Sequence, residues 1–181
     1  MSRIQTPAIN TATGATAELY ANIKKAVGMV PNAYAAIGAL IPAGLGAILG
    51  ADGTLAKGTL SKQDQEVIKV LVSNLTGCDY CETAHFTIAK MTGLSVEVLQ
   101  NIRSGRPTGD IKRDALISFV TLLVKTSGTV SKDQFDAIKA VGYSDVQLAE
   151  ISLVISIITF TNLFNRVNDT TIDFPAIPAS V

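Results

Sequence analysis

The sequence predicts an all-α fold, a compact helical domain of about seven or eight helices, and three observations support this prediction. Apolar residues recur at three- and four-residue spacing in most segments. Residues that start helices, such as Ser61 and Ser131, and residues that stop them, such as Gly142, bound these segments. No segment shows the alternating apolar pattern of a strand between hairpin turns. We expect a single domain over residues 1–181, with its core at residues 14–169.

The first part of the chain is predicted to begin with a helix over residues 14–28. Pro31 ends that helix, and Asn32 is a candidate N-cap for the next one. The glycine-containing stretch 50–60 is the clearest predicted loop. The apolar stripe of the first helix consists of Leu19, Ile23 and Val27.

Two central helices follow the loop. Ser61 and Asp64 resemble a capping box that opens a helix with apolar residues nearly all round, which predicts deep burial. Gly77 is the predicted end of that helix. Cys78 stands in or near the first turn of the next helix, which is expected to end around Gly93.

The remainder of the chain predicts four more helices. Ser95 begins a short one, residues 110–127 form the second, Ser131 caps the third, and residues 145–168 form a long helix with an apolar middle. A degenerate internal repeat is also compatible with the sequence, because the residues that start at Glu66 and at Glu150 align without a gap. Two buried helices can look alike through their shared periodicity alone, so both interpretations stay open.

Composition favours a soluble homo-oligomer. Hydrophobic residues make up 48% of the chain and charged residues 17%, an excess that contacts between copies would cover. Lys plus Arg and Asp plus Glu both number 15, with no basic run, so we expect no nucleic-acid partner. The uncharged stretch 33–51 has the length of a membrane span, but Pro42 interrupts it and many of its residues are Ala or Gly. We therefore expect no membrane and, with no signal-peptide pattern at the start, a cytoplasmic location.

Both cysteines and the only histidine lie within the stretch GCDYCETAH, residues 77–85. On a helix, Cys78 and Cys81 lie about 20° and about 40° from His85 around the axis, so all three share one face. An imidazole four residues after Cys81 is placed to take or return a thiol proton, directly or through water. The helix N-terminus and the Cys-x-x-Cys spacing favour a thiolate and a reversible disulfide.

Several kinds of site could use these residues. Structural zinc usually takes four nitrogen or sulfur ligands, and the chain would need a carboxylate or a second subunit to complete the set. Covalent c-type haem is excluded because Glu82, and not histidine, follows the second cysteine. Inert core cysteines are possible, but a thiol–disulfide centre explains the shared face better. Glu66 is either a first-turn carboxylate that favours its own helix dipole or a buried acid that orients His85, and both stay open.

The pattern E-x11-C-x2-C-x3-H, formed by Glu66, Cys78, Cys81 and His85, resembles the signature of the AhpD-like alkylhydroperoxidases in the carboxymuconolactone decarboxylase superfamily. The likeness extends over residues 14–169. The resemblance implies an all-helical fold, a homo-oligomer that is commonly a trimer or an assembly of trimers, and reduction of organic hydroperoxides by the cysteine pair. We therefore expect an enzyme without a cofactor, with a small-molecule hydroperoxide as substrate and a dithiol electron donor of unknown identity.

The resemblance further implies a catalytic role for each residue of the pattern. Cys81 attacks the peroxide and becomes a sulfenic acid, and Cys78 supplies a proton and then condenses with it as a disulfide. Glu66 and His85 relay protons. The best-known AhpD proteins have a second histidine where this chain has Tyr80, a weaker base at neutral pH because a phenol has a pKa near 10.

Two alternatives belong to other functional classes. The chain is alternatively a redox sensor, a general disulfide oxidoreductase or an interaction module without significant peroxidase activity. Lactone decarboxylation is the weaker interpretation, because plain carboxymuconolactone decarboxylases typically lack the Cys-x-x-Cys pair.

Overall fold

The computed structural model describes residues 1–179, which contain nine α-helices, one short 3-10 helix at Ile9–Thr11 and no strand. The predicted all-α fold class is confirmed. The helices are α1 (Gly14–Val27), α2 (Asn32–Leu40), α3 (Pro42–Leu55), α4 (Lys62–Thr76), α5 (Asp79–Met91), α6 (Val96–Arg103), α7 (Ile111–Thr126), α8 (Lys132–Ala140) and α9 (Asp145–Asn168).

Helix α4 forms the centre of the protein. Every residue from Gln65 to Ser73 is buried, because α5, α6, α7 and α9 all pack around this helix. The sequence predicts this burial correctly from the apolar residues that surround the helix axis. The fully buried aliphatic side chains of α4 are Val67, Ile68, Val70 and Val72.

The apolar stretch 33–51 is divided between two helices. Ile41 has φ −138° and ψ 72°, which ends α2, and Pro42 opens α3 because it has no backbone N–H to donate to the preceding turn. Helix α3 then continues to Leu55, so the prediction of a loop from residue 50 onward is wrong at its start. Burial of Leu55 favours the extra turn by about 1.5–3 kcal/mol, which offsets the roughly 1 kcal/mol that each of Gly50 and Gly53 costs in a helix.

Helix caps position the two central helices. Ser61 Oγ accepts a hydrogen bond from the backbone N–H of Asp64 at 3.0 Å, which confirms the N-cap half of the predicted capping box. Gly77 ends α4 with φ +68°, a left-handed conformation that favours glycine. The two copies of the candidate internal repeat differ at this point. Gly77 ends α4, whereas α9 continues without a break through Thr161, the residue that aligns with Gly77.

Helix α9 is, among residues 1–179, the one helix that by length and composition alone could cross a membrane. About a third of its most apolar part is buried inside the protein, against α3, α4 and α5. Core helices of soluble proteins meet the same criterion, so the expectation of no membrane stays a prediction. The exposed side of α9 carries four large apolar residues, Val146, Phe160, Leu163 and Val167.

Candidate active site

The cysteine pair lies at the start of α5. Cys78 is the N-cap residue, and its backbone N–H donates to the carbonyl oxygen of Ser73 at 2.9 Å, across the break at Gly77. Cys81 follows in the first turn. Both are free thiols, with 2% of Cys78 and 3% of Cys81 exposed. Backbone N–H groups without helical partners surround this turn and favour negative charge on sulfur.

The two thiols ionise as a coupled pair. A hydrogen bond from the Cys81 side chain lowers the pKa of Cys78 in spite of its burial, and the charge of Arg166 adds to this effect. The same hydrogen bond raises the pKa of Cys81, and burial and the neighbouring Cys78 charge raise it further. The pair therefore loses its first proton from Cys78, while Cys81 keeps the second.

Helix α9 supplies polar groups to Cys81. Asn165 Nδ2 donates to Cys81 Sγ at 3.1 Å, and the Thr161 side chain lies one turn earlier on the same helix. Hydrogen bonds from Asn165 and then Thr161 lower the pKa of Cys81 and partly oppose the larger effects that raise it. These donors stabilise a thiolate at Cys81 whenever the shared proton moves to Cys78.

The carboxylate of Glu66 and the imidazole of His85 form a direct pair. Glu66 Oε2 lies 2.8 Å from His85 Nδ1, and the Glu66 side chain is 5% exposed. Burial opposes ionisation of Glu66, but the charge and hydrogen bond of His85, followed by those of Lys69, lower its pKa. With Nδ1 directed to Glu66, Nε2 is the ring nitrogen available for proton exchange. His85 makes no direct hydrogen bond to either sulfur within residues 1–179.

A buried lysine extends this pair into a network. Lys69 Nζ lies 3.6 Å from Glu66 Oε1 and 3.1 Å from Asp52 Oδ1, the latter on α3. Burial alone would lower the pKa of Lys69, but the charges of Glu66 and then Asp52 raise it overall. The chain Asp52–Lys69–Glu66–His85 is therefore a row of alternating acidic and basic groups that ends at α5.

Tyr34 on α2 also belongs to the site. Burial raises the pKa of its phenol, and the negative charges of Asp52, Glu66 and Cys81 raise it further. Tyr34 therefore lies within electrostatic reach of both carboxylates and of one sulfur, and it stays protonated at neutral pH.

Tyr80, which lies between the two cysteines in the sequence, makes contacts that hold the fold together. Its hydroxyl donates to Asp173 Oδ1 at 2.8 Å and accepts from the backbone N–H of Ala33 at 3.1 Å. Burial raises the pKa of Tyr80 far above neutral pH, and Asp173 adds to the shift. Its ring also meets Phe174 edge-on, with centroids 5.7 Å apart. Tyr80 thus ties the carboxyl-terminal tail to α5, and its phenol is not available as a base.

A polar cleft of about 350 Å³ opens beside the cysteine pair. Asn165, which contacts Cys81, lies in its wall, and the two chain neighbours of Cys78 line its edge. The cleft reaches the start of α5. Its lining residues are Met1, Gly77, Asp79, Tyr80, Asn165, Arg166, Asp169, Thr170, Thr171 and Ile172.

The sequence and the structure agree on part of this site. The structure brings Glu66 to His85, which is one of the two roles that the sequence left open for Glu66, and it brings Cys78 to Cys81. Sequence reasoning missed Lys69, Asp52, Tyr34 and Asn165. A lysine inside an apolar helix was the available signal for Lys69, because a buried ammonium requires an acidic partner. Alignment of Asn165 with Cys81 in the candidate repeat was the available signal for Asn165.

Residues 42–111 match the sequence profile of the carboxymuconolactone decarboxylase family, and this segment contains Glu66, both cysteines and His85. No curated protein sequence matches the chain. Solved structures match its fold over nearly the whole length. One is the alkylhydroperoxidase AhpD core of an uncharacterized peroxidase-related protein from Ralstonia eutropha, with TM-score 0.85 and 20% identity over 95% of this chain and 92% of that one.

Two further structures have the same fold. An uncharacterized peroxidase-related protein from Silicibacter has TM-score 0.82 and 20% identity, over 94% of this chain and 91% of that one. The debrominase Bmp8, in complex with 2,3,4-tribromopyrrole, has TM-score 0.79 and 19% identity, over 96% of this chain and 94% of that one. The family match and the shared fold confirm the resemblance to AhpD-like proteins of the carboxymuconolactone decarboxylase superfamily.

Proposed function

We propose, from a carboxymuconolactone decarboxylase family segment set in an AhpD-like fold, that this chain is a thiol-dependent peroxidase that reduces organic hydroperoxides. The observation that carries the proposal is the pair of buried free thiols on the helix of His85, together with the Glu66–His85 pair. A peroxidase needs a thiolate, a second thiol to resolve the oxidised sulfur, and a group that accepts and returns protons. The candidate site contains a residue suited to each task.

The proposed reaction begins with two proton movements. Cys78 loses its proton to His85, through Nε2 and an intervening water, while Glu66 stabilises the resulting imidazolium. The remaining thiol proton then passes from Cys81 to the Cys78 thiolate. Cys81 becomes the nucleophile, and Cys78 becomes the acid that faces it.

The oxidation then proceeds in two bond-making steps. Cys81 Sγ attacks the terminal oxygen of the hydroperoxide, so that an S–O bond forms, the O–O bond breaks and the alkoxide takes the Cys78 proton to leave as an alcohol. The Cys78 thiolate next attacks Cys81 Sγ, which forms the disulfide and breaks the S–O bond. The hydroxide that leaves takes the proton held by His85 and becomes water.

The test is consumption of cumene hydroperoxide by the reduced protein. We expect one peroxide to be consumed for each pair of thiols lost, with formation of an intramolecular disulfide between Cys78 and Cys81. Cys81→Ser should abolish the reaction, and Cys78→Ser should stop after one turnover at a sulfenic acid that dimedone traps. Consumption by Cys81→Ser at the wild-type rate would disprove the proposal.

The partners follow from the same chemistry. A disulfide formed in each cycle requires a two-electron dithiol donor, and the reducing cytoplasm is the compartment that supplies one. The exposed apolar side of α9 supports a homo-oligomer, either a trimer or an assembly of trimers. Sedimentation of the reduced protein tests the assembly, and a monomer at micromolar concentration would contradict it.

A second candidate is reductive dehalogenation, which the debrominase with the same fold favours. A dithiol can reduce an aryl bromide, because the carbon gains a proton, bromide leaves and the two sulfurs form a disulfide. Incubation of the reduced protein with 2,3,4-tribromopyrrole and measurement of released bromide tests this candidate. Bromide release faster than peroxide consumption would favour it over the peroxidase.

The redox-sensor alternative has its own measurement. A sensor would change its assembly when Cys78 and Cys81 oxidise, without rapid turnover of peroxide. Comparison of oligomer size under oxidising and reducing conditions separates the two functions. An unchanged size together with rapid peroxide consumption would favour the peroxidase.

A further inference from the structure

A buried amide oxygen without a donor lies next to Cys81. Asn165 is 3% exposed, and its Nδ2 donates to Cys81 Sγ at 3.1 Å. Its Oδ1 is buried and has no hydrogen-bond partner within residues 1–179. A buried acceptor that is left unpaired costs about 1–3 kcal/mol, so such an oxygen in a native site calls for a functional explanation.

Two other buried asparagines on α9 use both ends of their amides. Asn162 Oδ1 accepts from Ser73 Oγ at 3.1 Å, and its Nδ2 donates to Thr76 Oγ1 at 2.9 Å. Asn168 Oδ1 accepts from the backbone N–H of Ile4 at 2.8 Å, and its Nδ2 donates to Thr170 Oγ1. The unused oxygen is therefore particular to Asn165, the asparagine that touches a reactive sulfur.

We infer that Asn165 is a further catalytic residue of the peroxidase proposed above: Nδ2 holds the Cys81 thiolate, and Oδ1 accepts the hydrogen bond of the hydroxyl group that Cys81 takes from the hydroperoxide. The inference rests on the proposed function, because the hydroxyl exists only after the peroxide has reacted. It assigns a hydrogen-bond donor to an oxygen that has no partner among residues 1–179.

The thiolate and the sulfenic acid of Cys81 each pair with a different end of the Asn165 amide. A thiolate accepts hydrogen bonds, and the Asn165 N–H group supplies one. When the S–O bond forms and the O–O bond breaks, sulfur is oxidised and gains an O–H group, which is a donor. Asn165 Oδ1 is the acceptor on the same planar amide. When Cys78 attacks the sulfur, this hydroxyl departs as water and the amide returns to its first state.

The cleft beside the cysteine pair and the contact with Cys81 share one residue. Asn165 lines this cavity of about 350 Å³, and its Nδ2 also contacts the sulfur. A peroxide bound in the cleft would therefore lie next to the residue that contacts Cys81.

The first test needs no peroxide. In the Cys78→Ser background the chain has a single thiol, and the rate of its alkylation by iodoacetamide as a function of pH follows the Cys81 thiolate. Asn165→Ala should slow alkylation at neutral pH roughly tenfold, the effect of losing one hydrogen bond to a charged group. Asn165→Asp, which keeps the shape and adds a negative charge, should slow it more. Asn162→Ala, which removes a buried amide one turn away, should leave the rate unchanged.

The second test follows the oxidised sulfur. Cys78→Ser is treated with one equivalent of cumene hydroperoxide, and the sulfenic acid is trapped with dimedone at increasing times. Asn165→Ala should shorten the lifetime of the sulfenic acid several-fold, because its hydroxyl loses its acceptor, whereas Asn162→Ala should not. Thermal melting of all variants checks that they are folded at the assay temperature.

The outcomes of the two tests separate the two proposals. If the wild-type protein does not react with the hydroperoxide, the proposed function fails and the role of Asn165 in it fails as well. If the wild type reacts and Asn165→Ala matches Asn162→Ala in both assays, only the assignment of Asn165 is overturned. An effect on alkylation without an effect on sulfenic-acid lifetime would overturn the role of Oδ1.

Discussion

Lys69 Nζ and Asp52 Oδ1 lie 3.1 Å apart and form an ion pair between the central helix and α3. The Lys69 side chain is 10% exposed, so its charge depends on acidic partners within the protein. Glu66, one turn before Lys69 on α4, is the second partner, and it is also the carboxylate that holds His85. Lys69 therefore links α3 to the proposed proton relay, and its loss would leave both carboxylates without their shared cation.

Removal of the Lys69 charge should destabilise the protein. Lys69→Met leaves Asp52 and Glu66 without their shared cation, and loss of one partner of a buried pair costs on the order of 3 kcal/mol. Urea unfolding measures the change in the free energy of unfolding. Lys69→Arg, which keeps the charge, should recover much of the loss. If Lys69→Met is as stable as wild type, the network has no structural role.

Glu66 should make stability depend on acidic pH. Its pKa in the folded protein is lowered, so its ionised form contributes stability that is fully present above about pH 4.5 and is lost as the pH falls through the folded pKa. Between about pH 6 and about pH 3, wild type should therefore lose more unfolding free energy than Glu66→Gln. Lys69 does not change the pH dependence of stability in this range. Its pKa is raised, so it loses its charge only at strongly alkaline pH. Equal slopes for the two proteins would contradict the prediction.

Cys78 should react first with a thiol reagent. The hydrogen bond from Cys81 lowers the pKa of Cys78 and raises that of Cys81, so the thiolate of the reduced pair resides at Cys78. One equivalent of iodoacetamide at neutral pH, followed by peptide mass spectrometry, should find most of the label on Cys78. Replacement of Cys81 by Ala removes this hydrogen bond, so Cys78 should then ionise less readily and react more slowly. Predominant label on Cys81 would refute the order of ionisation.

Tyr80 should matter for stability and not for proton transfer. Tyr80→Phe removes the hydroxyl that pairs with Asp173 and with the Ala33 N–H group, at a cost of about 1–3 kcal/mol. The pH dependence of peroxide consumption should keep its shape, because the raised pKa of the phenol keeps it protonated over the assay range. A shift in that profile would assign Tyr80 a place in the relay after all.

Two glycines in the amino-terminal helices should respond in opposite ways to alanine. A Cβ atom at Gly38 would lie 2.6 Å from Tyr20 Cε1 and 2.9 Å from Leu45 Cδ2, so Gly38→Ala should cost about 1–3 kcal/mol. A Cβ atom at Gly46 meets nothing within 4 Å, so Gly46→Ala should stabilise α3 by about 0.5–1 kcal/mol. Thermal unfolding compares the two, and a stabilised Gly38→Ala variant would contradict the close packing of α2 against α1.

The sequence predicts local structure well where local interactions decide it. Ser61 and Gly77 bound α4 because caps and left-handed turns depend on neighbouring residues, and these were identified correctly. The end of α3 was predicted too early, because burial of Leu55 by distant helices outweighs the local preference of glycine for a loop. The helix or loop preference of a segment depends on its own residues and does not include the free energy of its tertiary contacts.

The same division applies to the candidate site. By itself the sequence determined the all-α class, the shared position of Cys78 and Cys81 at one helix start, and the family resemblance carried by Glu66 and His85. Only the tertiary structure placed Lys69 beside Asp52 and the Asn165 amide against Cys81. These contacts join residues 17 and 84 positions apart in the chain. Periodicity and motif spacing describe one helix at a time, whereas the environment of a buried sulfur or ammonium is set by whichever helices pack against it.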